Sequence, residues 1–331
     1  MILVTGGTGL VGAQLIFDLL QAGKRVRAMR RQSSSMKVLH RIFFSRPGLL
    51  DSIEWVEGDV TDPFSVREAL EGVSEVYHSA GMISFQSSDF REMMRINSQG
   101  TANMVNMSLE AGVKRFCHIS SIAALGRLEE NKLITEDSVW KTSGSNSDYA
   151  ISKYSAEREV WRGTEEGLPA IIVNPGVITG PGDWNKGSSK LFRQVWNGLS
   201  FYTEGMTGFV DVRDVSSCCV QLMEKNLTGK RFILVSENLT YREVLNYIAR
   251  GFQRKTPVYK AHAWMSELIW RLEAARSMLT GSKPLITKET SRNSRKNWQY
   301  SNKRIKDTLH HDFIPIETSV RDTCEIYLRE I

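Results

Sequence analysis

The sequence predicts an α/β fold, a doubly wound parallel sheet carrying a smaller C-terminal α+β lobe, and three observations predict it. Short apolar, strand-like runs alternate with helix-period segments through the first two-thirds of the chain. A glycine-rich corner, "TGGTGLVG", joins the first such run directly to the first helical segment. After Pro175 the alternation loosens into loops, one further strand-like run and amphipathic helices. Strands joined by helical crossovers run parallel and need helices on both faces, which makes the sheet doubly wound.

The elements follow in order. Strand-like runs are predicted at Ile2 to Thr5, Arg25 to Met29, Glu54 to Glu57, Glu75 to His78, Arg115 to Ser120 and Ala170 to Asn174. Helices are predicted near Gly12 to Ala22, where Leu15, Ile16, Leu19 and Leu20 share a face, and near Pro63 to Glu71, Phe90 to Ala111 and Asp148 to Glu166. Beyond them, "TGPGDWNKGSSK" reads as lid material and Lys230 to Val235 as a strand. "ENLTYREVLNYIARGF" reads as a capped helix, followed by a Trp-bearing amphipathic helix from about Ala263 to Leu279 and a basic, polar tail from Ser282 to Arg304. The expected organisation is a dinucleotide-binding domain of residues 1–175 plus about 206–229, and a substrate-binding lobe of about 176–205 plus 230–331.

Composition narrows the function classes. The 331 residues are 41% hydrophobic, enough for a buried core. The net charge of +6 comes from 43 basic and 37 acidic residues spread along the chain, so no concentrated basic face points to nucleic acid. Cys117, Cys218, Cys219 and Cys324 lack metal-ligand spacing and read as free thiols of a reducing cytosol. The six histidines show no paired metal spacing, and no metal is assigned. The first strand starts at Met1 and no apolar run reaches the length of a membrane span, so a cytoplasmic location is the expectation. The stripe of Trp264, Leu268, Ile269, Leu272 and Met278 reads as a core-facing helix in preference to one dipping into a membrane surface.

The glycine corner points to phosphate. A helix N-terminus offers unpaired N–H groups and partial positive charge, and residues without a Cβ let a phosphate approach them. The spacing of Gly6, Gly9 and Gly12 at the first strand-to-helix junction is that of a dinucleotide site. Thr5, Gly6, Gly7, Thr8, Gly9, Leu10, Val11 and Gly12 are therefore candidate cofactor contacts. At the end of the second strand a carboxylate would favour NAD and an arginine the 2′-phosphate of NADP. This chain has Arg30 there, eighteen residues after Gly12, with Arg31 next and no acid in competition. NADP is the expected cofactor, with NAD the alternative. After the third strand, Asp59 and Val60 of "EGDVTD" stand where the adenine would lie, and Asp62 reads equally as a helix cap ahead of Pro63.

In "SDYAISKYSAE" Tyr149 and Lys153 lie four apart on a predicted helix, hence on one face. An ammonium beside the phenol, and an oxidised nicotinamide, would lower its pKa and make it a usable acid or base. Between the two motifs, "FCHISSIAALG" supplies two serines, Ser120 and Ser121, either of which could donate to a substrate carbonyl.

TGGTGLVG, GDVTD, "VYHSAG", "INSQGT", "HISSIAALG", YAISK, "NPGVITGPGD" and "FVDVRDV" follow one another in an order that resembles the extended short-chain dehydrogenase/reductase superfamily, the NAD-dependent epimerase/dehydratase family. The chain is most similar to its dihydroflavonol 4-reductase-like and 3β-hydroxysteroid dehydrogenase-like branches. The resemblance covers residues 1 to about 235 and implies a Rossmann fold. It places the catalytic hydroxyl at Ser121, with Tyr149 and Lys153, and gives Asn97 either a proton-relay or a structural role. It further implies backbone contacts of Ala80 and Gly81 with the cofactor, of Pro175 and Gly176 with the nicotinamide carboxamide, and of Lys153 with the nicotinamide ribose. Asp211, Arg213 and Asp214 match an element that supports the lobe interface. Homodimers paired through a helix bundle are frequent among such relatives.

Within that family the expected reaction is NADP(H)-dependent reduction of a ketone or aldehyde, or oxidation of the alcohol. Ile122, Ala123 and Ala124 follow Ser121 where sugar dehydratases carry an acidic pair, which disfavours dehydration. An NAD-dependent nucleotide-sugar epimerase is the alternative, and a non-catalytic NADP-binding sensor a second one. "MISFQSS" and the set Trp184, Leu191, Phe192, Val195, Trp196, Phe201 and Tyr202 suggest a moderately apolar substrate, or else the packing of the second lobe. Lys186, Lys190 and Arg193 keep a nucleotide sugar open.

Overall fold

A computed structural model describes residues 1–126, 132–143, 146–261 and 294–331, so the expected helix near 263–279 and much of the basic tail lie outside the described residues. The chain starts on β1 (Ile2–Thr5), turns through the glycines into α1 (Leu10–Gln21), and returns on β2 (Val26–Arg30). Next come α2 (Lys37–Ile42), β3 (Ile53–Glu57), α3 (Pro63–Ala69) and β4 (Glu75–His78). These are followed by α4 (Phe90–Met93), α5 (Gly100–Glu110), β5 (Arg115–Ile119), the short β6 (Leu133–Ile134), α6 (Asp148–Glu165) and β7 (Ala170–Pro175). The last third contains β8 (Val177–Thr179), α7 (Lys190–Trp196), β9 (Phe201–Tyr202), β10 (Met206–Asp211), α8 (Val212–Glu224), β11 (Lys230–Leu234), β12 (Glu237–Thr240) and α9 (Tyr241–Gly251). Helices Lys303–Leu309 and Ile316–Leu328 end it.

Seven parallel strands in the order β11-β7-β5-β4-β1-β2-β3 make the central sheet. Its inner strands β1, β4, β5 and β7 are almost wholly buried on both faces, as a helix-covered parallel sheet requires, and the edge strand β3 is partly exposed. One face packs on Leu15, Ile16 and Leu19 of α1 and Val215, Cys219 and Leu222 of α8, the other on Val66, Met104, Val105 and Val160 of α3, α5 and α6. The chain leaves β1 for β2 and β3 on one side, then crosses to β4 on the other. The crevice between the C-terminal ends of β1 and β4 is thus the switch point at which such sheets bind ligands.

Three strands differ from expectation. β11, expected in the substrate lobe, is an edge strand of the central sheet, since Phe232, Ile233 and Leu234 are apolar on both sides and α8 and helix Lys303–Leu309 cover them. β10, expected with the first domain, instead forms a small sheet between β8 and β12, and β8 lies where loop is expected. The expected helix from Phe90 to Ala111 is interrupted by a π-helical turn at Met94–Gln99.

The aromatic set of the expected lid forms a core. Phe192 and Val195 are buried with Ile248, Phe252, Val320 and Tyr327, and Trp184 and Trp196 pack against them. Phe201 stays exposed. These residues pack the lobe, which removes them as a reason to expect an apolar substrate. Arg213 pairs with Asp211 at 2.7 Å and Asp322 at 3.0 Å, while Asp214 accepts from the Ile314 N–H at 2.9 Å, so that motif is structural. The lobe is clasped to the sheet domain by Arg41 of α2, which pairs with both oxygens of Glu330 and lies 4.6 Å over the Trp184 ring.

At α9 the Thr240 hydroxyl accepts from the Glu243 N–H at 3.2 Å and the Glu243 carboxylate accepts from the Thr240 N–H at 2.7 Å. Replacing Thr240 by Ala removes this reciprocal cap, and urea unfolding is expected to show a loss of about 1 kcal/mol. No described helix is long and apolar enough to cross a membrane. The four cysteines are buried and free.

Candidate active site

The glycine corner is built by backbone contacts. Gly6 has φ +68°, and a Cβ on it would lie 2.7 Å from the Ala80 nitrogen at the end of β4. A Cβ on Gly12 would lie 2.2 Å from the Gly6 carbonyl oxygen, which already accepts from the Gly9 N–H at 2.9 Å. Gly7 is filled by Ile16, whereas Gly9 is exposed at the N-cap of α1 and offers no side chain to the helix end. Leu10, Val11 and Gly12 form the first turn, whose N–H groups have no intrahelical acceptor, and Thr8 lies beside them, partly buried. This cradle fits a pyrophosphate.

Thr5 ties the corner to β4. The Ala80 N–H donates to the Thr5 oxygen at 3.2 Å, the Thr5 hydroxyl meets His78 Nδ1 at 2.8 Å, His78 Nε2 meets Thr101 at 3.0 Å, and the Thr101 hydroxyl donates to the Asn97 carbonyl at 2.5 Å. With both ends fixed, His78 carries its proton on Nε2 and accepts at Nδ1. Burial, with the Lys153 charge nearby, pushes His78 down to about 3 and keeps it neutral.

At the adenosine end, Arg30 stacks 4.9 Å over Trp55 and donates to the Met36 sulfur at 3.2 Å. Arg31 is exposed. One oxygen of Asp59 accepts from the Thr61 N–H at 2.9 Å and hydroxyl at 2.8 Å. Burial alone would raise the Asp59 pKa, but these bonds with Arg31 and Arg95 lower it. Val60 is buried and its carbonyl accepts from Asn103 at 2.9 Å. Asp62 caps α3 at the Phe64 N–H.

Tyr149 and Lys153 both lie on α6. Burial pushes the Tyr149 pKa up and a hydrogen bond with Ser121 opposes it. The Lys153 ammonium donates to the Ile119 carbonyl at 2.9 Å. The Ser121 oxygen accepts from the Ala123 N–H at 3.1 Å, which leaves its own hydrogen to donate outward. Phe85 meets the Tyr149 ring edge to face at 6.0 Å, and Ile83 of the same segment is 59% exposed. Lys153 is buried, and a Cβ on Gly81 would lie 3.9 Å from its nitrogen. Burial lowers Lys153 to about 8, with Glu157 opposing the fall.

Asn97 lies in the π turn and its amide is fully engaged. It accepts from the Met82 N–H at 2.7 Å and donates to the Met82 carbonyl and the Ser152 hydroxyl, each at 2.9 Å. Of its two expected roles this geometry serves the structural one, clamping the segment after β4 to α6. Pro175 is buried at the end of β7, and Gly176 donates its N–H to Leu234 at 2.9 Å while a Cβ there would meet the Gly208 carbonyl at 2.5 Å. Residues not singled out from sequence complete the site. Glu157 accepts from Ser120 and Asn174, both at 2.5 Å, and Asn174 also donates to the Ser121 carbonyl at 2.9 Å. The spacing of Glu157 four residues after Lys153 was the available signal.

The profile described as "NAD dependent epimerase/dehydratase family" matches residues 2–234. The chain belongs to this family. As a member it is an NAD(P)-dependent oxidoreductase. It is 32% identical to the sterol demethylase protein B of Methylococcus capsulatus over 252 residues, 74% of this chain and 73% of that relative. To the cinnamoyl-CoA reductase 1 of Petunia hybrida it is 23% identical, covering 98% of this chain and 90% of that one. The crystal structure of gox2253 superposes with a TM-score of 0.83 at 28% identity, covering 100% of this chain and 98% of that one. These relatives extend the family likeness beyond residue 234 and into the lobe.

Proposed function

We propose that this family member uses NADP(H) to reduce a ketone or aldehyde on a moderately apolar substrate, with alcohol oxidation as the reverse. The observation that carries the reading is the pairing of the Tyr149 phenol with the Ser121 hydroxyl, with Phe85 edge to face on the Tyr149 ring. Ser121 donates to the carbonyl oxygen and orients it, and Tyr149, kept protonated by burial, delivers the proton to that oxygen. A bound nicotinamide dinucleotide supplies the hydride chemistry. Lys153 holds the nicotinamide ribose, and Gly6, Gly9 and Gly12 admit the pyrophosphate to the α1 N-terminus. The exposed Ile83 and Phe85, on the segment that meets Tyr149, offer apolar surface, in keeping with relatives named for a sterol and a cinnamoyl group.

The NADP preference rests on Arg30 and Arg31 at the end of β2, where no carboxylate competes for the ribose. Isothermal titration tests it. NADP⁺ is expected to bind at least about tenfold more tightly than NAD⁺, about 1.4 kcal/mol, with Arg30→Asp reversing the order. Equal or tighter binding of NAD⁺ by the unaltered chain contradicts the preference.

A further inference from the structure

We propose that Glu157 is a positioning residue which keeps Lys153 in its ammonium form and fixes the backbone that presents Ser121, an inference that rests on the reductase reading. Glu157 lies one helical turn beyond Lys153 on the same face of α6 and is 1% exposed. One oxygen accepts both the Ser120 hydroxyl and the Asn174 amide at 2.5 Å, and the other faces an Arg231 nitrogen at 3.4 Å. Burial raises the Glu157 pKa, and the Ser120 hydroxyl, Arg231, Asn174 and Lys153 oppose the rise. The Asn174 amide nitrogen on one oxygen and the Arg231 guanidinium facing the other can only donate, so both oxygens are received as acceptors. A buried charge of this kind is retained only where other groups compensate it. Here the compensation comes from Ser120 just after β5, Asn174 on β7 and Arg231 on β11.

Two consequences follow for the site. Asn174 bonds Glu157 and the Ser121 carbonyl with one amide nitrogen, so the carboxylate sets the strand end from which Ser121 projects. Among the described residues, Glu157 is the charge that opposes the effect of burial on Lys153. The other titratable groups facing Lys153 supply no countercharge. Tyr149 on α6 is raised and protonated, His78 on β4 is neutral, and His118 on β5 is buried and pushed well below its usual value. Arg231 on β11 bonds the far oxygen of Glu157. Lys153 is charged below about pH 8 and loses its charge above it. Removing the Glu157 charge moves that loss to lower pH, because an opposite charge one helical turn away on the same face favours the ammonium form.

The test compares the chain with Glu157→Gln and Glu157→Asp in two pH series, kcat/KM for carbonyl reduction and NADP⁺ affinity by calorimetry without substrate. Glu157→Gln is expected to shift the alkaline limb of both series down by about one pH unit or more, and Glu157→Asp to restore it towards the original. If the glutamine amide facing Arg231 prevents folding, Glu157→Gln with Arg231→Met removes that clash and is expected to shift the limbs in the same direction. Limbs that stay in place while rates fall, in whichever variant folds, overturn the proposal and leave Glu157 a packing residue. If the unaltered chain reduces no carbonyl, the reductase reading fails by itself, and the calorimetric series still reports the Lys153 charge.

Discussion

Replacing Tyr149 by phenylalanine is expected to lower kcat for carbonyl reduction by about 10²- to 10⁴-fold, the range for loss of a positioned general acid. The ring stays, so its edge-to-face contact with Phe85 and the packing of α6 persist. Only the hydroxyl that meets Ser121 is lost. Dinucleotide affinity, which depends on the glycine corner and Lys153, is expected to be unchanged. Steady-state NADPH consumption and titration calorimetry on the same sample separate the two. A variant that turns over at the original rate contradicts the assignment of Tyr149.

Changing Gly12 to alanine is expected to abolish dinucleotide binding, by at least about 100-fold, or 2.7 kcal/mol. The new Cβ would stand 2.2 Å from the Gly6 oxygen. That oxygen cannot retreat freely, because it accepts the Gly9 N–H and Gly6 is itself pressed against the backbone of Ser79 and Ala80. The turn must open, and the N–H groups of α1 lose their aim. Gly9→Val separates binding from folding. A Cβ at Gly9 meets only the Gly6 oxygen, at 3.3 Å, and the position is exposed. That variant is expected to keep its thermal midpoint closer to the original than Gly12→Ala while losing binding, since its branched side chain stands over the helix end. Calorimetry with thermal unfolding checks both, and normal affinity in Gly9→Val contradicts phosphate approach at that point.

What was legible in the sequence was local. The β1–glycine–α1 unit is written in contiguous residues, and Tyr149 and Lys153 share a face because a helix returns every four residues. What was not legible depends on contacts between distant segments. Glu157 meets Asn174 and Arg231 only when α6, β7 and β11 pack together. The π turn at Asn97 exists with a bond to the backbone of Met82, fifteen residues away. The lid aromatics carry the same composition whether they line a pocket or fill a core, and only the partners Phe252 and Tyr327 decide it. Helical spacing put Lys153 beside Tyr149 but did not show that its ammonium turns to the Ile119 carbonyl.

The central claim is net, NADPH-linked carbonyl reduction at Tyr149, and one measurement tests it most directly. Consumption of NADPH and NADH is followed with a panel of apolar aryl and polycyclic ketones and aldehydes and a panel of nucleotide sugars, each with the unaltered chain and Tyr149→Phe. Stoichiometric oxidation of NADPH by members of the apolar panel, lost in Tyr149→Phe, is the predicted result. Conversion of nucleotide sugars with no net change in the dinucleotide, and no reduction of any apolar carbonyl, would contradict it and make the chain an epimerase.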